Sequence, residues 1–132
     1  MQKVLMVLGR NAPAQAYSRS LYYNGIIPMV SYELNDGLRL CSYSNYDLVV
    51  LDFSEDETTL RRAIHAFKEI GVKTLAIVDD LNPRKAEGLF ALGCSSVIAR
   101  PSQSEDFVKH LTDPETLAHS PLDQVSPEAW GA

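Results

Sequence analysis

Apolar residues are grouped along this chain in two rhythms. Val4–Leu8 is an unbroken apolar run closed by Gly9, and Asp47–Phe53 repeats that character as Asp-Leu-Val-Val-Leu-Asp-Phe. Lys73–Val78 and Ser95–Ala99 read the same way. Continuous runs of this length predict strands buried on both faces. Between them the spacing turns helical. In Glu57–Ile70 the residues Leu60, Ile64, Phe67 and Ile70 fall on one helix face, and Gly71 stops the helix. Ala14–Gly25 reads as a helix ending at a glycine, and Pro28–Leu34 as a second strand. Asn35–Tyr46 carries a weaker helical pattern, diluted by serines, tyrosines and Gly37. Pro83, in a first-turn position behind Asn82, opens a helix that runs to Leu92 and stops at Gly93. A last helix is predicted over Ser104–Leu111, with Phe107, Val108 and Leu111 facing inward.

Strands alternating with helices over short loops imply a parallel sheet, because each parallel connection needs a crossover. The expected fold is therefore an α/β, doubly wound five-stranded sheet with helices on both faces. In such sheets ligands sit at the carboxyl ends of the strands, which directs attention to the loops after Leu8, Phe53, Val78 and Ala99. Residues 1–112 form the expected domain. From Asp113 to Ala132 proline and polar residues replace the periodicity, as in a linker or tail.

Composition narrows the functional classes. The 132 residues, 45% of them hydrophobic, suffice for one domain with a real core. A net charge of −5 argues against a broad nucleic-acid-binding face. The apolar runs are too short to cross a bilayer, and the N-terminus lacks the layout of a secretory signal, so a cytoplasmic protein is expected. Cys41 and Cys94 are far apart in sequence without metal-type spacing and are expected as reduced thiols.

The run Tyr46-Asp47-Leu48-Val49-Val50-Leu51-Asp52 resembles the third strand of a response regulator receiver domain, whose terminal aspartate accepts a phosphoryl group. Ala99-Arg100-Pro101 is similar to the Lys-Pro that ends the receiver's fifth strand, and the five βα units between Gln2 and Leu111 match in order and length. The resemblance implies a flavodoxin-like sheet of order 2-1-3-4-5.

Around Asp52 the receiver's chemistry is altered. Leu8 and Gly9 stand where the family keeps its metal-binding acidic pair, and Arg10 follows them. Asp79 replaces the Ser or Thr that contacts the phosphoryl group, Val97 replaces the aromatic switch residue, and Arg100 replaces the lysine before Pro101. The loop Phe53-Ser54-Glu55-Asp56-Glu57-Thr58 lacks the family's Met-Pro. A carboxylate attacking an anionic phosphoryl group needs a divalent cation, and leucine has no lone pair to hold one. No metal and no cofactor are expected.

Asp52 and Asp79 should approach each other at neighbouring strand ends, where two unneutralised carboxylates cost roughly a kcal/mol or more. Arg100 is the expected counter-ion, with Arg10 in reach from the first loop. The plainer reading of Asp52 is a retained residue that pairs with Arg100 or caps the following helix. For Asp79-Asp80 it is an acidic loop leading into a helix. His65, His110 and His119 have no partner spacing for catalysis or zinc. The segment Gly9–Ala14 lacks the glycine and hydroxyl series of a phosphate cradle. Tyr17, Tyr22, Tyr23, Tyr32, Tyr43 and Tyr46 either form a sticky face or, more plainly, cover helix–sheet seams.

The expectation is a regulatory module without enzyme activity. It would act by protein–protein contact independently of phosphorylation, as the N-terminal part of a transcriptional regulator. The alternative is a working phosphoacceptor in a two-component phosphorelay, with Asp52 modified. By analogy with receivers, homodimerisation is expected through the fourth helix, fifth strand and fifth helix, offering Arg84, Lys85, Leu89, Phe90, Asp106, Lys109 and His110.

Overall fold

A computed structural model describes residues 3–53 and 56–100 of the chain. Its elements alternate strictly: β1 (Val4–Leu8), α1 (Ala14–Tyr23), β2 (Met29–Ser31), α2 (Leu34–Tyr43), β3 (Leu48–Asp52), α3 (Glu57–Glu69), β4 (Thr74–Val78), α4 (Pro83–Ala91) and β5 (Ser96–Ala99). The strands form one parallel sheet of order β2-β1-β3-β4-β5. β1, β3 and β4 are interior strands, buried at every residue. That burial is why their sequences are continuous rather than alternating apolar runs.

Two cores follow from the pleat. Val4, Met6, Leu8, Val50 and Ile77 face α1 with Tyr17 and Leu21. Leu5, Val7, Val49, Leu51 and Ala76 face the other layer, where Leu60, Ile64 and Phe67 of α3 and Leu89 of α4 pack. Local capping agrees with the sequence: Asp56 accepts from the Thr59 amide at the start of α3, and Asn82 from the Lys85 amide ahead of Pro83. Gly71 and Gly93, both at positive φ, end α3 and α4.

Several expectations need correction. β2 is only three residues long, and α2 begins at Leu34 and ends at Tyr43, where Ser44 is extended. Gly37 does not merely dilute α2. It lies where that helix crosses β1, and a Cβ there would come within 2.7 Å of Val7 Cγ2. Ile70 falls on the apolar stripe of α3 by spacing, yet it is the C-cap residue and is half exposed, because the chain turns away at Gly71. The tyrosines do not mainly cover seams. Tyr22, Tyr23, Tyr32 and Tyr43 are exposed, Tyr46 packs on the core rim, and Tyr17 is buried. The predicted helix over Ser104–Leu111 and the tail 113–132 lie outside the described residues. Among the described residues no helix is long and apolar enough to cross a membrane.

Candidate functional site

The sheet register assembles the site. Leu8 pairs with Asp52, and Asp52 with Ile77, so the end of β3 lies between the ends of β1 and β4. Val78 pairs with Ala99, and the Arg100 amide donates to the Val78 carbonyl at 2.7 Å, which sets Arg100 beside Asp79. The Gly9 amide donates to the Asp52 carbonyl at 2.8 Å. Helices of a parallel sheet return antiparallel to the strands, so the first turns of α1 also lie at this edge.

Two side chains, Arg100 and Tyr17, converge on the Asp52 carboxylate, which has no solvent exposure. Arg100 donates from one terminal nitrogen to Asp52 Oδ1 at 2.9 Å and from Nε to Asp79 Oδ1 at 2.8 Å. Its planar fork therefore joins two strand ends. The other oxygen of Asp52, Oδ2, accepts from the Tyr17 hydroxyl at 2.8 Å. Asp52 is fully buried, whereas the Asp79 side chain is about half exposed. Burial alone would lower the Arg100 pKa, but the hydrogen bond that Arg100 donates to Asp79 and the charge of Asp52 outweigh it and hold the guanidinium above its ordinary value. The Tyr17 phenol is pushed well above its ordinary value, first by burial and then by its hydrogen bond to Asp52 and that residue's charge.

Beside this cluster lies a cavity of about 300 Å³ lined by Gly9, Arg10, Asn11, Tyr32, Asp56 and Thr59 together with Asp52 and Arg100. The other expected positions are distributed as follows. Leu8 is buried in the α1-side core and Val97 in the opposite one, so neither reaches the cavity. Asp52 does not cap α3, since Asp56 holds that place. Asp80 is exposed, and His65 is exposed beside Glu69 at 3.8 Å. Leu89, expected on an interaction face, is 1% exposed and belongs to the core. Phe90 is half-buried against that core, leaving Arg84 as the exposed residue of the expected α4 set and Lys85 partly so. Pro101, Asp106, Lys109 and His110 lie outside the described residues.

The architecture coincides with that of solved receivers. An orphan response regulator of H. pylori aligns with a TM-score of 0.71 at 21% identity, over 89% of this chain and 97% of its own. This is the receiver fold. The receiver domain of Francisella response regulator 1452 aligns with a TM-score of 0.73 at 17% identity, over 84% and 93% of the two chains. A further receiver-fold structure, described as an atypical orphan response regulator with a phosphorylation-independent regulatory mechanism, aligns with a TM-score of 0.67 at 22% identity, over 81% and 90%. No protein-family profile matches the chain, and no curated protein does.

The divalent cation that the receiver resemblance implies does not fit the residues present. The side chains of Leu8 and Gly9 supply no oxygen, both oxygens of Asp52 accept hydrogen bonds from Arg100 and Tyr17, and no group of three His, Cys, Asp or Glu suited to a metal occurs among the described residues. Tyr17 escapes a sequence reading of this receiver fold. Its spacing marks it as one more apolar residue on α1, and only the helix's seat over β1 and β3 aims its hydroxyl at Asp52.

Proposed function

We propose that the chain is a regulatory module of the receiver fold that signals through protein–protein contact without aspartyl phosphorylation. The observation that carries this reading is the fully buried Asp52, with one oxygen held by Arg100 and the other by Tyr17. Phosphoryl transfer to that carboxylate requires a free lone pair and a cation to offset charge. Here each oxygen is held by a donor in a site closed to solvent, and the charge beside it is offset by a guanidinium rather than a divalent cation. No enzymatic activity and no cofactor are assigned. The similarity to an atypical orphan regulator described as phosphorylation-independent supports the reading by analogy. A role as the N-terminal part of a transcriptional regulator follows from the same analogy.

The test is incubation with magnesium and acetyl phosphate followed by intact-mass measurement. The expected result is no phosphoryl adduct and no change in the near-UV spectrum with beryllium fluoride. An adduct on the wild type that Asp52→Asn lacks overturns the proposal and establishes a phosphorelay acceptor instead.

A further inference from the structure

The exposed large apolar residues are concentrated at one edge of the molecule. Of the seven among the described residues, six (Tyr22, Tyr23, Ile27, Met29, Tyr32 and Tyr43) come from the stretch between the end of α1 and the end of α2. Topology brings them together. β2 is the edge strand, with α1 packed on one face of the sheet and α2 on the other. Both helices run back against the strands, so their C-terminal residues Tyr22, Tyr23 and Tyr43 arrive at the amino end of the sheet, where Ile27 and Met29 lead into β2. Tyr32, at the other end of β2, lines a groove of about 480 Å³ with Val30, Leu40 and Tyr43.

We infer that this edge is the contact between two copies of the chain, paired about a two-fold axis at the β2 edge with the C-terminal ends of α1 and α2 on either side of it. Two features select a second copy as the occupant. The first is charge. The groove carries Glu33, Asp36 and Arg39, so a two-fold mate can set its Arg39 against Glu33 twice over, whereas a nucleic acid would meet the groove's net negative charge. The second is area. With about 200 Å² for a fully exposed tyrosine, four rings together with Ile27 and Met29 offer roughly 800 Å², the share of each partner in a standard stable interface. The α4 surface offers no comparable patch among its described residues, because Leu89 is buried and Phe90 packs on the core. A long-lived monomer would also leave an apolar strand edge open to uncontrolled pairing, which a closed two-fold contact prevents. This inference goes beyond the proposed function and holds whether or not Asp52 accepts phosphate.

Sedimentation velocity of the full chain over a concentration series tests it. The expected result is a species of twice the 14.6 kDa chain mass. Ile27→Glu and Tyr43→Glu, both at exposed positions that leave the core intact, should each weaken dimerisation by roughly 30-fold or more, as for loss of an interface anchor. Arg84→Glu on α4 should leave it unchanged. A chain that stays monomeric up to high micromolar concentration overturns the inference, and so does a dimer that survives both β2-edge variants or is broken by Arg84→Glu. Circular dichroism of each variant separates loss of pairing from loss of fold.

Discussion

The hydroxyl of Tyr17 donates to Oδ2 of Asp52 at 2.8 Å, the oxygen opposite the one held by Arg100. A helix and a strand 35 residues apart in sequence are thereby tied through a charged acceptor with no access to water. The buried carboxylate is tolerated because each oxygen has a donor and the net charge has a partner.

Removing that donor should be costly. Tyr17→Phe keeps the ring and its packing but leaves Asp52 Oδ2 short of a bond, and a hydrogen bond to a charged group contributes about 1.5 to 3 kcal/mol. Denaturant unfolding should show a loss in that range with an unchanged m-value. A loss below about 0.5 kcal/mol would mean that water or another donor takes over.

The two arms of the Arg100 fork should differ in weight. Arg100→Ala strands a buried Asp52, and the loss should be about 2 to 4 kcal/mol, below the upper range for buried pairs because Arg100 is itself partly exposed. Asp79→Ala removes a half-exposed partner and should cost less than about 1 kcal/mol. The double variant completes a cycle that isolates the Arg100–Asp79 coupling. A larger coupling to Asp79 than the whole effect of the Asp52 contact would contradict the burial argument.

Alkaline pH should expose the Tyr17 contact. The folded protein holds the phenolic proton more tightly than the unfolded chain does, through burial first and then Asp52. As pH rises, the unfolded chain releases the proton first, so the contribution to stability is complete below about pH 10, the ordinary tyrosine value, and is lost as pH climbs toward the higher folded-state value. Melting across this range should show a downward slope for the wild type that Tyr17→Phe flattens. Equal slopes in the two proteins would show that the Tyr17 titration is not linked to folding.

Gly37 should resist the substitution that helix propensity favours. In an open helix Gly→Ala stabilises by about 1 kcal/mol. Here the added methyl would meet Val7 Cγ2 at 2.7 Å in the α2–β1 seam, and overpacking of that kind costs about 1 to 3 kcal/mol. Gly37→Ala should therefore lower the melting temperature, and Gly37→Ala combined with Val7→Ala should recover part of the loss.

The order of strands and helices was readable in the sequence because it depends on local rhythm: unbroken apolar runs such as Val4–Leu8 and Leu48–Leu51, the Asn82-Pro83 helix start, and Gly71 and Gly93 as stops. Asp52, Asp79 and Arg100 could be set at strand ends for the same reason, since each interrupts the apolar run it closes. Tertiary structure alone decided what lies across from them. Tyr17 reaches Asp52 because α1 crosses over β1 and β3, and Tyr22, Ile27 and Tyr43 share an edge because β2 is outermost. Leu89 and Ile70 divide the same way, one buried and one exposed despite similar apolar character, because burial depends on which element lies opposite. A periodicity reports which residues share a face, and only the long-range strand order reports whether anything covers that face.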